Sequence, residues 1–214
     1  MDAAVYDAWY QTPRGSWIGD VEFKLLLELL EPKKGETLLD IGCGTGYFVR
    51  RFAQEQGLSV VGLDPDQTWL RFAEGHAVAG EQFVAGSGAR LPFLERNFDR
   101  SVAVASLCFV EEQRQFVNEM VRVTRKRFAI GLLNRASLLY WQKGRHGGSG
   151  AYQGAHWHTA AEIRALLEGL PITNLVIRTS VFSSSGGCSS RWLERVLPRC
   201  LLWGSFLVVA GDRV

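Results

Sequence analysis

Apolar side chains recur along this chain at two alternating spacings, and the alternation predicts its elements. From Ile18 to Leu30 they return every three or four residues (Ile18, Val21, Leu25, Leu26, Leu29) with Glu22, Lys24 and Glu28 between, until Pro32 and Gly35 end an amphipathic helix. Thr37 to Ile41 is a short apolar strand running into Gly42, Gly44 and Gly46, and helical spacing resumes from Tyr47 to Glu55. The unit then repeats in type. Leu58 to Leu63 reads as a strand ending at Asp64, Gln67 to Ala77 as a helix, and Glu81 to Ala85 as a strand. A fourth strand follows at Phe98 to Leu107, a helix at Glu112 to Val123, and a fifth strand at Arg127 to Leu133.

Beyond Leu133 the rhythm loosens. Asn134 to His158, with the breaker run Gly144 to Gly150, reads as a mobile insertion. A helix at Thr159 to Leu167, a strand at Ile172 to Phe182, a Ser/Gly loop at Ser183 to Ser190, a short surface helix at Arg191 to Leu197 and a last strand near Phe206 to Val209 complete the chain. Strands alternating with helices imply an α/β, Rossmann-like three-layer sandwich, its seven or so strands mostly parallel with an antiparallel C-terminal hairpin. We expect one domain over residues 1–214. Within it, 1–35 would be an N-terminal segment and helix, 36–133 the core of alternating strands and helices, 134–158 an insertion, and 159–214 the remainder of the sheet.

Composition narrows the classes. At 214 residues and 47% hydrophobic content the chain can bury a full core. A net charge of +2, from 24 basic and 22 acidic residues, does not by itself point to nucleic acid or a membrane surface. Cys43, Cys108, Cys188 and Cys200 lack metal-ligand spacing, so we expect reduced, buried thiols, with no zinc and no disulfide framework. No secretory leader or membrane span is read in the sequence, and cytoplasmic residence is the expectation.

Ligands of open α/β sheets bind beyond the carboxyl ends of strands, where strand order reverses. Gly42, Gly44 and Gly46 occupy such a place, and glycine there lets the backbone approach a ligand closely. Tyr47 stands where a dinucleotide fingerprint wants its third glycine, which counts against a nicotinamide cofactor. Asp40, just before the turn, would repel a pyrophosphate but suit a ligand's ammonium group. Asp64 can accept hydrogen bonds from both hydroxyls of a ribose, or equally cap the next helix, and Pro65 and Trp69 can pack on a flat ring.

In order and spacing DIGCGTG, VVGLDPD, ARLPF and NFDRSVAVASLCFV resemble the signatures of class I S-adenosylmethionine-dependent methyltransferases, in the small-molecule "type 11" branch that includes ubiquinone/menaquinone-biosynthesis-like enzymes. The resemblance covers about Leu38 to Leu133. It implies S-adenosylmethionine as cofactor, S-adenosylhomocysteine as product, and methyl transfer to a small-molecule acceptor. By the same resemblance Asp40, Gly42, Cys43, Gly44 and Gly46 line the methionine end, Asp64 takes the ribose, Ser87, Gly88 and Ala89 edge the adenine, and Ser106 faces the sulfonium. Ser87 departs from the family, which usually has an acid there for the adenine amino group.

Around this core the residues leave alternatives. Tyr6, Trp9 and Tyr10 form either a lid or a segment stapled to the core, and family members often cover the cofactor with an N-terminal tyrosine, which favours Tyr6 and then Tyr10. His156 and His158 are candidate acceptor-side bases, although Thr159 is a credible N-cap and either histidine could simply start the next helix. His146, Lys143 and Arg145 suit a solvated basic loop, and Cys108 a small buried hydrophobe. Two further functional readings are a cofactor-binding regulatory protein without catalysis, and an RNA or protein methyltransferase using Arg122, Arg125, Lys126 and Arg127 as a basic patch.

Overall fold

In the computed structural model, which describes residues 2–214, the strands are β1 (Thr37–Ile41), β2 (Ser59–Asp64), β3 (Gln82–Ala85), β4 (Phe98–Val104), β5 (Thr124–Leu133), β6 (Ile172–Ser180) and β7 (Phe206–Arg213). They form a single sheet in the order β3-β2-β1-β4-β5-β7-β6. β1 to β5 pair in parallel, whereas β7 runs antiparallel to both β5 and β6. Order reverses between β1 and β4, so the ends of these two strands open onto one crevice.

Alternate strand residues feed cores on opposite faces. Leu39, Ile41, Leu207 and Val209 join Phe116, Val117 and Met120 of α5 (Gln113–Val123) and Ile163 and Leu167 of α6 (Ala160–Leu167). Leu38, Val208 and Ala210 join Phe23, Leu26 and Leu29 of α2 (Pro13–Leu30) and Phe48 and Phe52 of α3 (Tyr47–Gln56). The period-two alternation puts one set of side chains under each helical layer. The helix after β2, α4 (Gln67–Gly75), is capped by Asp66, whose side chain accepts from Thr68 and Trp69.

Several boundaries differ from the pattern reading. An additional helix, α1 (Ala3–Trp9), starts where the Asp2 carboxylate accepts the Ala4 and Val5 amides. α2 begins five residues early, with Thr12 as N-cap and Pro13 in its first turn. β4 stops at Val104 because Ala105 turns left-handed, φ 58°, and Ser106–Phe109 forms a 3₁₀ turn. The last three residues of the Ser/Gly loop belong to helix α7 (Cys188–Val196), so β6 and β7 pair across a long connection and not a tight hairpin.

The segment 134–158 is folded into short turns: a π-helical turn at Tyr140–Gly144 and 3₁₀ turns at Arg145–Gly147 and Gly150–Tyr152. They wrap the buried Trp157, whose ring lies 5.5 Å from Tyr140 and 5.4 Å from Tyr152, with Gly144 leaving room for it. At its base, Asn134 donates to the carbonyls of Leu202 and Gly204. No helix among the described residues is long and apolar enough to cross a membrane.

Candidate active site

The turn from β1 to α3 has three left-handed glycines, Gly42 (φ 78°), Gly44 (φ 55°) and Gly46 (φ 76°), a conformation that costs any other residue. The packing adds a reason absent from the sequence reading. A Cβ on Gly42 would lie 2.2 Å from the Ser106 Cβ, and one on Gly44 3.2 Å from the Trp69 ring. On Gly46 it would meet Ala73 and Phe83. These glycines therefore let the end of β4, α4 and β3 close on the turn, whose Gly42, Cys43, Gly44 and Gly46 amides donate to Leu63, Leu63, Asp64 and Cys43. Cys43 turns its sulfur toward Gly62 and, with its thiol pushed far up by burial, is no nucleophile.

Two carboxylates flank the turn. Asp40 is 2% exposed, and its Oδ1 is buried without a hydrogen-bond partner. Burial, and then the charge of Asp64, raise its carboxyl to about 8. The Thr45 hydroxyl is a second buried orphan in the same loop. Asp64, at the end of β2, accepts the Gly44 amide at 2.9 Å and the Asp66 amide at 2.9 Å, and burial raises its carboxyl too. It braces two turns together, while the adjoining helix cap is Asp66 and not Asp64. Ser106 donates to the Ile41 carbonyl at 2.5 Å, tying the end of β4 to the end of β1.

α1 lies over this crevice. The Tyr6 ring is 5.1 Å from Trp69, and Tyr10 stacks on Tyr47 at 3.6 Å and packs edge-on against Trp9 and Phe48. Arg50 fastens the arrangement, pairing with Asp7 of α1 at 2.7 Å and donating to the Thr45 carbonyl at 2.7 Å. Neither Arg50 nor Asp7 was legible as a site residue, because only the fold brings a helix-face arginine and an N-terminal aspartate to one loop. Glu22 was also missed. It reads as an ordinary polar position of an amphipathic helix, yet it is partly buried and raised by burial to about 8.

The remaining candidates divide. Pro65 and Ser87 are exposed at the rim, with Ser87 Oγ accepting the Ala89 amide. Gly88 and Ala89 are covered, a Cβ on Gly88 being blocked by Phe116 and Ile41. His156 is exposed and its ring lies 4.5 Å from that of His158. His158 itself is fully buried, with Nε2 3.1 Å from Gln113 Oε1 and Nδ1 facing the Cys108 sulfur. Burial lowers it to about 4, so it is neutral near pH 7 and anchors the insertion to β5 instead of serving as a base there. Cys108 is buried as a hydrophobe would be, but Cys188 and Cys200 are exposed. Cavities of about 250 and 330 Å³ lie between the loops after β5 and β6, and no glycine of the β1–α3 turn lines either.

With this geometry in hand, comparison with known proteins identifies the segment that builds it. Residues 39–128 match the methyltransferase-domain family of type 11. The chain carries a class I methyltransferase domain. An uncharacterized protein of Mycobacterium tuberculosis is 36% identical over 171 residues, which are 78% of this chain and 56% of the relative. The chain thus spans little more than half the length of that relative. Among solved structures, a SAM-dependent methyltransferase of Thermotoga maritima superposes with a TM-score of 0.77 at 21% identity, covering 99% of this chain and 95% of the other. A geranyl diphosphate C-methyltransferase of Streptomyces coelicolor, solved with S-adenosyl-L-homocysteine, gives 0.65 at 17% identity over 90% and 78% of the two chains. At such identities these structures establish the shared fold.

Proposed function

We propose that the protein transfers the methyl group of S-adenosylmethionine to a small-molecule acceptor. The observation that carries this reading is the orphaned carboxyl oxygen of Asp40, buried beside three left-handed glycines at the point where strand order reverses. An unpaired buried carboxyl is costly, and a ligand with a positively charged amino-acid end supplies what it lacks. In this reading Asp40, the closely approachable turn of Gly42, Cys43, Gly44 and Gly46, and the Thr45 hydroxyl border the methionine end. Asp64 accepts the ribose hydroxyls beside Pro65 and Trp69, with Ser87, Gly88 and Ala89 at the adenine. Ser106 borders the reacting centre and Tyr6 closes over it.

When bound, the cofactor supplies an activated methyl group on a sulfonium. The chain's own contribution is then to hold the acceptor in line and exclude water, which suits a crevice roofed by Tyr6, Tyr10 and Trp69. The basic stretch that suggested RNA is spent within the fold. Arg122 pairs with Glu119, Arg125 with Asp99, Lys126 with Glu36 and Asp99, and Arg127 with Asp212. A patch so neutralised releases few counterions on binding a polyanion, which favours the small-molecule reading.

Calorimetric titration of the purified protein with S-adenosylmethionine and with S-adenosylhomocysteine tests the proposal. Saturable binding of both supports it, and binding of neither by a folded sample overturns it. Methyl transfer to any member of an acceptor screen would then separate an enzyme from a cofactor-binding regulator.

A further inference from the structure

Glu22 is an inward-facing carboxylate that the fold leaves without compensation. It lies one helical turn beyond Gly19, whose Cβ position falls 2.4 Å from the Tyr47 hydroxyl and 3.1 Å from the Tyr10 ring, so the face of α2 that bears Glu22 looks onto these phenols. It is partly buried, and among the described residues it makes no ion pair and accepts no hydrogen bond. Glu36 is matched by Arg100 and Lys126, Glu119 by Arg122, and Glu162 by Arg135 and the Thr159 amide, whereas Glu22 shares its lack of a cation with Asp40, Glu81 and Glu194.

Tyr10 at the end of α1 and Tyr47 of α3 pack against this face of α2 at Gly19, Tyr6 of α1 lies edge-on to Tyr10 at 5.9 Å, and the Glu22 charge is felt at these three phenols and at Tyr152 of the insertion. Each phenol is raised first by burial, with the Glu22 charge adding to the effect. The charged groups around them are Asp7 near Tyr6, Asp20 and Arg51 near Tyr47, and Arg14 near Tyr152. Arg51 is taken by Asp20 at 2.9 Å and Glu55 at 2.6 Å, and Arg14 lines the outer 250 Å³ cavity. Neither cation lowers Glu22, which burial alone raises to about 8.

Arg51 stands over Tyr47 and donates to its hydroxyl but pairs with Asp20 and Glu55, so Glu22 is a carboxylate beside phenols with no cation of its own, the chemistry that selects an ammonium ion over a neutral or anionic group. We propose that Glu22, with Tyr6, Tyr10, Tyr47 and Tyr152, forms a cation-selective acceptor subsite that takes the ammonium group of a small amine. The inference rests on the reading of the adjoining crevice as a methyl-transfer site, since it names the acceptor class for that site. On binding, an ammonium pairs with the Glu22 carboxylate, and the proton that Glu22 carries near neutral pH passes to solvent.

The experiment is calorimetric titration of the S-adenosylhomocysteine complex with phenethylamine, phenethyl alcohol and hydrocinnamate, for the wild type and Glu22→Gln. The pH is held at about 8.5, where Glu22 is largely ionised and an alkylamine still protonated. The wild type should bind the amine at least about tenfold more tightly than the other two. Glu22→Gln should erase that preference while S-adenosylhomocysteine still binds. At neutral pH, amine binding should release protons, read from two buffers of different ionisation heat.

Tyr152→Leu, whose side chain lies on the insertion and outside both cores, provides a second variant that should weaken the amine alone. Equal binding of the three probes, binding of none, an amine preference that survives Glu22→Gln, or joint loss of S-adenosylhomocysteine in that variant overturns the proposal. If S-adenosylhomocysteine does not bind the folded wild type, the methyl-transfer reading fails instead, and titration of the free protein with the same probes still judges the subsite.

Discussion

Gly42 can be tested as a packing residue and as a binding residue separately. With φ 78°, an alanine there costs about 1–2 kcal/mol in the left-handed region alone. Its methyl would also fall 2.2 Å from the Ser106 Cβ and 2.8 Å from its Oγ, far inside contact distance. Overpacking of this kind adds about 1–3 kcal/mol, so Gly42→Ala should lose roughly 2–5 kcal/mol of stability in denaturant melts. Ser106→Gly removes the obstructing side chain and the hydrogen bond to the Ile41 carbonyl, costing about 1 kcal/mol by itself. In the double variant the steric part vanishes while the backbone strain stays, giving a coupling of about 1–3 kcal/mol. Calorimetry with S-adenosylhomocysteine on the same four proteins supplies the second axis. If Gly42 serves the ligand as well as Ser106, the double variant regains stability without regaining affinity. Additive stabilities would refute the steric argument, and full recovery of affinity would refute the role of Gly42 in the ligand's approach.

Three further outcomes follow from the site. Asp40 has a folded-state value of about 8 against an ordinary 3.8, so it favours the unliganded fold at low pH and withdraws that support as pH rises between those values; Asp40→Asn should flatten this window in thermal melts while weakening S-adenosylmethionine binding, and an unchanged pH profile would count against it. His158 works in the opposite direction: with a folded value of about 4 against 6.5 it stays neutral when the unfolded chain protonates, so stability should fall by on the order of 3 kcal/mol as pH drops from 6.5 toward 4, and His158→Gln should remove most of that slope. Asp64→Ala takes the acceptor from the Gly44 and Asp66 amides and should cost about 1–3 kcal/mol in S-adenosylhomocysteine affinity, with normal binding removing Asp64 from the site.

The elements legible in the sequence were those with a repeating burial pattern. β1, α3 and β2 occupy nearly the residues that periodicity assigned, because each buries a regular set of apolar side chains. α1 has only seven residues and a mixed aromatic face, and its existence depends on Trp69 and Arg50 being in place to receive it. Its N-cap at Asp2, like Thr12-Pro13 before α2, is a purely local feature with no apolar period behind it to mark a helix. β4 was read too long because Ala105, Ser106 and Leu107 are all tolerable in a strand. Only the pairing of Ser106 with the Ile41 carbonyl across the crevice shows why the backbone turns left-handed at Ala105. For the site, the glycines, Asp40 and Asp64 carry motif spacing. Thr45 sits inside the DIGCGTG motif but shows as unpartnered only in the fold, and Glu22, Asp7 and Arg50 carry no motif spacing, since only the fold brings them to the crevice.

The same contrast locates the chemistry. At the amino ends of the strands, Glu36, Arg100, Lys126, Asp99 and Arg125 satisfy one another across β1, β4 and β5, and Glu36 and Asp99 are each held down to about 2. That edge is a closed electrostatic unit, where adding a ligand would have to break pairs already made. At the carboxyl ends, Asp40 and Thr45 have buried oxygens without partners, Glu22 makes no ion pair, Ala105 accepts a backbone conformation unusual for alanine, and both acids are pushed up instead of down. A fold tolerates unsatisfied groups and local strain where something outside the chain relieves them. Under the proposed reading, Asp40 on the strand side and Glu22 on the helix side are the two carboxyls without a cation that would receive positive guests, the amino-acid end of the cofactor and the ammonium of the acceptor.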